Sequence, residues 1–349
     1  MDARLLHTGD LEIGYRNGGG SPVVVASGLE LDLHAGELIC LLGPNGSGKS
    51  TLIRTLAGMH PSLGGKILLG GQNVGAMNAA RRARYMSTVL TDRVTLGNLT
   101  VYNMVAFGRT PYTGWLGQLR EEDHRKVRWA IGATGLEDFV ARDISRLSDG
   151  ERQKVMIARA LAQDTPFILM DEPTAHLDLP NRVEIMQLLR RLAHETDKGI
   201  LASTHELDLA LKAADRVWLM NRDVSLWSGV PEDLVLDGTF EEVFRKESFD
   251  FDRSSGSFNI HRSPERELWV SGDPVPLFWT RRALEREGFR VREAKECTQA
   301  PLVEARSQGE RSYRWTLDDG GGASRCFDSV SGLLEACRQL LSGKESKTR

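Results

Sequence analysis

The sequence predicts an α/β protein: a mixed sheet folded around a phosphate-binding loop, interrupted by a helical subdomain and followed by a small α+β domain. Three observations carry this. Gly43-Pro44-Asn45-Gly46-Ser47-Gly48-Lys49-Ser50-Thr51 fits the pattern G-x-x-x-x-G-K-[ST]. Two later apolar runs end in polar groups: Phe167-Ile168-Leu169-Met170 leads into Asp171-Glu172, and Gly199 to Thr204 leads into His205. Composition then changes after about residue 250, where Ser254-Ser255-Gly256-Ser257 reads as a linker.

The loop has the right neighbours. Glu37-Leu38-Ile39-Cys40-Leu41-Leu42 is a short apolar run, read as a buried strand, and Thr51 to Ala57 reads as a helix closed by Gly58. Glycines let the backbone turn tightly and aim several N–H groups at one phosphate chain. The helix start adds its positive end to that anion site. Lys49 would reach the β- and γ-phosphates, and the Ser50 hydroxyl would hold Mg²⁺. The expected cofactors are therefore ATP and Mg²⁺, with residues Gly43 to Thr51 as the binding loop.

Before the loop, Leu11-Glu12-Ile13-Gly14-Tyr15, Val23-Val24-Val25 and Leu29-Glu30-Leu31-Asp32-Leu33 read as strands, with a Gly-rich turn from Asn17 to Gly20. Tyr15 is either an aromatic platform for an adenine or a tyrosine at a sheet edge. After it, Gly64 to Gly71 and Arg84 to Leu90 read as strands, the second ending at Thr91-Asp92-Arg93. From about Asn98 to Gly135 the pattern is helical, with a break at Gly108-Arg109-Thr110-Pro111-Tyr112-Thr113-Gly114.

Leu147-Ser148-Asp149-Gly150-Glu151 opens a further helix. Ser148 with Glu151 three residues on forms a capping box, and a capped helix start is also an anion site. Two carboxylates at the end of a buried strand are costly unless they meet a metal or a partner. After a phosphate loop, Asp171 would help hold Mg²⁺ through its water shell and Glu172 would act as general base on the attacking water. His205 ends a strand that can lie beside the loop strand, where ligands bind. Pro180 opens a helix whose core face carries Val183, Met186, Leu189 and Ala193, and Arg216 to Trp227 reads as a hairpin around Asn221-Arg222-Asp223.

Composition narrows the class. The chain has 349 residues, enough for two domains, with 40% hydrophobic and 27% charged residues and a net charge of −3. The absence of a long basic block disfavours nucleic acid as a partner. No apolar run approaches the about 20 residues of a membrane span, and Met1 to His7 lacks a signal-peptide stretch. The four cysteines Cys40, Cys297, Cys326 and Cys337 form no C-x-x-C pair and read as free buried thiols in a reducing cytosol.

In order, the loop, Leu147-Ser148-Asp149-Gly150-Glu151, Asp171-Glu172, Ala175-His176-Leu177-Asp178 and His205 resemble the ATPase subunit of an ABC transporter, from residue 8 to residue 250. Gly108-Arg109-Thr110-Pro111-Tyr112 looks most like the importers of iron chelates, haem or cobalamin. The resemblance implies a P-loop NTPase fold of ABC type, with residues 98–165 as its helical subdomain. It implies two ATPase domains sandwiching two ATPs, with Ser148 and Gly150 serving the nucleotide of the other chain. One loop per chain then requires a homodimer. A permease, and indirectly a substrate-binding protein, complete the assembly, with the ATPase peripheral on the cytoplasmic face of the cell membrane. Tyr15 would stack on adenine, Asp178 would tune the dimer seam, and His205 would contact the γ-phosphate.

Two departures stand out. The family glutamine that contacts Mg²⁺ and the attacking water is Thr91 here, which would need a bridging water. Asp149 replaces the usual glycine, and Glu151 stands where glutamine is frequent. Both carboxylates are expected to point away from nucleotide, Asp149 to solvent or the permease side and Glu151 to its own helix cap.

The tail shows strands at Glu267-Leu268-Trp269-Val270 and Phe289-Arg290-Val291, helices over Leu277 to Glu287 and Val330 to Leu341, and a hairpin around Ser307-Gln308-Gly309. The expected division is an ATPase domain over 1–250, a linker over 251–265 and an accessory domain of unknown role over 266–349. The alternatives to an importer subunit are a soluble ABC ATPase acting on ribosomes or DNA and an ATP-gated regulatory switch. The first lacks its usual tandem units or coiled coils; against the second stand Lys49, Ser50, Asp171, Glu172 and His205.

Overall fold

The structure is a computed structural model that describes residues 4–16, 21–90, 99–115, 117–223, 225–245, 249–252, 257–260, 266–294, 301–320 and 324–342. It divides into two compact units: Met1–Lys246 with Asp250–Asn259, and Glu247–Phe249 with Ile260–Arg349.

The first unit opens with β1 (Arg4–Tyr15), β2 (Val23–Leu29) and β3 (Asp32–His34), and β4 (Leu38–Leu42) feeds α1 (Lys49–Leu56). Next come β5 (Gly64–Leu69), β6 (Gln72–Asn73), α2 (Ala79–Arg82) and β7 (Met86–Val89). Three helices follow: α3 (Val101–Ala106), α4 (Glu121–Ala133) and α5 (Asp149–Ala162). The chain then alternates through β8 (Phe167–Met170), α6 (Leu179–Thr196), β9 (Gly199–Ser203), α7 (Leu207–Ala213), β10 (Arg216–Met220) and β11 (Leu226–Gly229), and reaches α8 (Pro231–Leu236) and α9 (Thr239–Phe244).

Two sheets result. One is antiparallel, ordered β2-β1-β5-β6 with β3 also on β1; the other is ordered β11-β10-β4-β9-β8-β7 and is parallel except for β11. The parallel strands are buried on both faces, so they read as unbroken apolar runs. Alternate residues serve two cores. Leu38, Cys40, Leu42, Ile168, Met170, Ile200, Ala202, Val217 and Leu219 join the core that holds the helices α3 to α6. Ile39, Leu41, Phe167, Leu169, Leu201, Trp218 and Met220 join the core under α1 and the antiparallel sheet.

The break expected at Gly108–Gly114 is a tight 3₁₀ helix over Phe107–Tyr112. Gly108 is needed there, because a Cβ would come within 2.2 Å of the Arg159 carbonyl oxygen. Arg109, only 4% exposed, donates through Nε to Asp123 Oδ1 at 2.8 Å and through Nη1 to the Ala162 carbonyl at 2.9 Å. Its guanidinium also lies 4.0 Å from the centroid of the Tyr112 ring. Burial raises the Asp123 pKa, but the Arg120 N–H and the Arg109 guanidinium outweigh it and hold the carboxyl below its usual range.

The linker expected over 251–265 is partly structured. Strands β12 (Phe249–Asp252) and β13 (Ser257–Ile260) pair, and Phe251 is buried against Phe240 with ring centroids 4.8 Å apart.

The second unit is α+β. Its strands β14 (Arg266–Gly272), β15 (Phe289–Glu293), β16 (Leu302–Gly309), β17 (Ser312–Asp318) and β18 (Ser324–Phe327) form a sheet ordered β15-β14-β16-β17-β18, packed with α10 (Pro274–Arg286) and α11 (Val330–Ser342). Trp315 Nε1 donates to Thr280 Oγ1 at 2.6 Å and ties the sheet to α10. The helix starts at Pro274, earlier than Leu277, because Asp273 and Pro274 form its start. Among the described residues Cys40 and Cys337 are buried, and burial pushes their thiols up to about 12 and about 11, whereas Cys326 is exposed, contrary to expectation.

Replacing Arg109 with alanine strips the buried Asp123 carboxylate of its guanidinium and leaves it only the Arg120 N–H. The expected loss is about 3–5 kcal/mol in urea unfolding near neutral pH. Because the folded Asp123 pKa is depressed, its stabilisation is present above the unfolded value and lost as pH falls through the folded one. The difference between wild type and variant should shrink below about pH 4.

Candidate nucleotide site

The loop between β4 and α1 is set by close backbone approaches. Gly43 has φ 153° and Gly48 φ 101°. A Cβ on Gly43 would lie 2.2 Å from the Met220 carbonyl oxygen, and one on Gly48 would lie 2.3 Å from Val25 Cγ1. Both glycines are required by shape as well as by φ. Pro44, Asn45 and Gly46 form the outer turn, closed by the Ser47 N–H donating to the Pro44 carbonyl at 3.2 Å. Lys49 is 7% exposed, and its ammonium curls back to the carbonyls of Gly43 (2.7 Å) and Pro44 (3.1 Å). Burial lowers its pKa, and the Glu172 and Asp171 carboxylates oppose that shift, so all three belong to one electrostatic site.

The loop fits a phosphate chain. Ser47 Oγ is buried and has no hydrogen-bond partner among the described residues. A buried hydroxyl without a partner is costly, and phosphate oxygens are acceptors suited to it. The Ser50 side chain is exposed beside the loop, while Thr51 Oγ1 lies 2.7 Å from the Tyr15 hydroxyl. The described residues contain no group of three or more His, Cys, Asp or Glu able to cage a metal.

The ends of β8 and β9 supply the carboxylates. The two strands are parallel neighbours, with Met170 opposite Ala202. Asp171 and Glu172 therefore emerge beside Ser203, Thr204 and His205. Ser203 Oγ donates to Asp171 Oδ1 at 2.7 Å and accepts from the Glu172 N–H at 2.9 Å. Glu172 has φ 51°, a left-handed conformation that costs a non-glycine residue about 1–3 kcal/mol. His205 Nε2 lies 2.7 Å from Glu172 Oε1. The two residues expected to act on the γ-phosphate and on water are thus brought together in a mutual contact.

At the start of α5, Ser148 Oγ accepts from the Glu151 N–H at 3.3 Å, and Glu151 Oε2 accepts from the Ser148 N–H at 2.8 Å. The second bond is the leading cause of a lowered Glu151 pKa. Asp149 is exposed and pairs with Arg152 at 3.1 Å. Asp178 caps α6, accepting from the Asn181 N–H at 3.1 Å and from Asn181 Nδ2 at 2.6 Å. A Cβ on Gly150 would fall 2.5 Å from Asn181 Oδ1, so Gly150 lets the two helix starts meet. Helix α6 begins at Leu179, and Pro180 follows its first residue instead of being it.

The Tyr15 hydroxyl bonds Thr51 and its ring meets that of His60 at 5.0 Å between centroids, while the residue stays 43% exposed. Thr91 lies outside the described residues. Sequence reasoning missed Ser203, Asn181 and Arg222. Arg222 donates through Nε and Nη2 to the Asn45 carbonyl at 3.3 and 3.2 Å, bracing the outer turn of the loop from the β10–β11 hairpin. For Ser203 a signal existed: it is the one polar residue in an otherwise apolar strand just before Thr204 and His205.

A Gly48→Ala variant tests the geometry of the loop. It should keep its fold and lose binding of a fluorescent ATP analogue by at least about tenfold, since the new methyl forces the start of α1 away from β2. Unchanged binding would show that the loop has slack the structure does not contain.

The comparisons agree with this geometry. The ABC transporter family model matches residues 26–175, which hold the loop, Ser148, Gly150, Asp171 and Glu172. A second family model, the iron ABC transporter C-terminal domain, matches residues 265–338. A petrobactin import ATP-binding protein of Bacillus anthracis is 36% identical over 238 residues, covering 68% of this chain and 86% of its own. Among solved structures, an inward-facing metal-chelate type ABC transporter aligns with TM-score 0.60 and 25% identity, covering 74% of this chain and 96% of that one. The dimeric structure of a bacterial ABC transporter cassette aligns with TM-score 0.56 and 25% identity, covering 65% of this chain and 99% of that one. With the nucleotide loop, the capped Ser148 helix and the paired carboxylates in place, this chain belongs to the ATP-binding proteins of ABC transporters, and its first unit is their ATPase cassette.

Proposed function

We propose that the chain is the ATP-hydrolysing subunit of a membrane importer for an iron chelate. The observation that carries hydrolysis is the junction of β8 and β9, where Asp171, Glu172 and His205 sit within one hydrogen-bonded group. The iron-chelate class is supported by the match of residues 265–338 to an iron transporter domain, the petrobactin import relative and the metal-chelate type neighbour.

In this reading the loop N–H groups and Lys49 bind the phosphates and spread their charge. Ser50 and Asp171 would hold Mg²⁺, which would neutralise part of the phosphate charge. Glu172 takes a proton from the attacking water. His205 leaves its contact with Glu172 Oε1 to meet the γ-phosphate, freeing that oxygen for the water. Ser148 and the Gly150 N–H serve the nucleotide of a second copy, so the working form is a homodimer, as in the dimeric cassette. Asp149 and Glu151 are kept from that nucleotide by Arg152 and by the Ser148 cap. No helix among the described residues is long and apolar enough to cross a membrane. In this proposal a permease carries the passage, a substrate-binding protein delivers the chelate to it, and this subunit sits peripherally on its cytoplasmic side.

The test is reconstitution with the candidate permease in lipid discs. ATP turnover should rise severalfold when a binding protein loaded with an iron chelate is added, and not when the same protein is empty. A response to haem or cobalamin and none to iron chelates would reassign the cargo. Turnover indifferent to the permease would overturn the transport reading.

A further inference from the structure

We infer that Ser203 is a positioning residue that sets both carboxylates of the hydrolytic centre through one hydroxyl group. The inference rests on the reading of this site as an ATPase and deepens it.

Ser203 is the last residue of β9 and has no solvent exposure. Its neighbours on the strand, Ile200, Leu201 and Ala202, are also fully buried and apolar. A hydroxyl placed there must find partners inside the protein. Both partners it finds belong to the catalytic pair. The Glu172 N–H can only donate, so Ser203 Oγ accepts from it at 2.9 Å. The single hydroxyl proton is then directed to Asp171 Oδ1, at 2.7 Å. The direction of each bond follows from chemistry, with no choice of rotamer left open.

The consequences fall on two different functions. At Asp171, one carboxylate oxygen is occupied on the protein side, which orients the group toward the place where Mg²⁺ and its water would lie. At Glu172, the bond holds a backbone in the left-handed region, φ 51°, that a glutamate does not adopt unaided. His205, two residues past the end of β9, holds the Glu172 side chain at Oε1 from 2.7 Å. The end of β9 therefore grips the general base twice, once by its backbone and once by its carboxylate. Thr204 cannot substitute for Ser203, since its hydroxyl accepts from the Glu206 N–H at 3.1 Å and faces Thr174 Oγ1 at 3.4 Å.

A purely structural hydroxyl would affect folding stability alone. A positioning hydroxyl affects turnover and metal dependence while leaving nucleotide affinity in place. The experiment uses the full chain as wild type, Ser203→Ala, Ser203→Cys and Ser203→Thr. In metal-free, nucleotide-free protein, amide hydrogen exchange at Glu172 should accelerate at least about tenfold in Ser203→Ala relative to the β8 amides, and return toward wild type in Ser203→Thr. In steady-state hydrolysis, kcat should fall by about 10–100-fold in Ser203→Ala and the half-saturating Mg²⁺ concentration should rise by a similar order. Binding of ATP without metal should stay within about threefold. The expected order of kcat is Thr, then Cys, then Ala, following hydrogen-bonding strength at the Oγ position. If Ser203→Ala does not fold, the comparison of Cys with Thr decides. Equal kcat and Mg²⁺ dependence across the folded variants would overturn the inference. An inactive wild type would instead contradict the ATPase reading itself, and the exchange rates would then stand as the measure of the Ser203–Glu172 bond.

Discussion

The first unit depends on one constraint: the backbone between β4 and α1 must turn where no side chain fits at Gly43 or Gly48. Met220 on β10 and Val25 on β2 press on those two positions from 2.2 and 2.3 Å of where a Cβ would be. The loop is thereby clamped between the parallel sheet and the antiparallel one. Its amides acquire a fixed direction, and α1 starts where its positive end meets the same point. The other parts of the site are placed relative to this clamp. Strand β9 lies next to β4 and β8 next to β9, so their carboxyl ends come out beside the loop.

Around that frame several polar groups are held by protein partners. Lys49 is tied to loop carbonyls, Arg222 braces Asn45, and Ser203 and His205 hold Glu172. In the proposed mechanism these bonds hold the groups that meet the phosphates and the water. Preorganisation of this kind lowers the reorganisation needed when the nucleotide arrives. The Lys49 and His205 contacts are also exchangeable: the ammonium and the imidazole can trade a carbonyl or a carboxylate for phosphate oxygens. The Gly150–Asn181–Asp178 contact plays a comparable part at the start of α5 and α6, where it joins the Ser148 segment to the residues that follow Glu172.

Much of this was legible in the sequence because the constraints are local. A phosphate loop needs glycines at fixed spacing, a capped helix needs Ser148 and Glu151 three apart, and a buried strand ending in Asp171-Glu172 needs a reason to do so. What escaped was non-local. The Ser203 hydroxyl looks like a strand residue until β8 is known to lie beside it. Arg222 looks like a turn residue until the hairpin is seen against Asn45. The contact of Phe251 with Phe240 was equally invisible in a stretch whose local composition reads as linker. The contacts of Tyr15 were non-local too: its hydroxyl meets Thr51 and its ring meets His60.

The central claim is that Glu172, held by β9, is the base that turns ATP binding into hydrolysis. The most direct measurement compares ATP binding and single-turnover hydrolysis in wild type and Glu172→Gln. The account predicts that the variant binds ATP as well as the wild type and hydrolyses it about 10²–10⁴-fold more slowly. Equal single-turnover rates in the two proteins would contradict it, and would leave the chain as a nucleotide-binding switch with no use for its carboxylate.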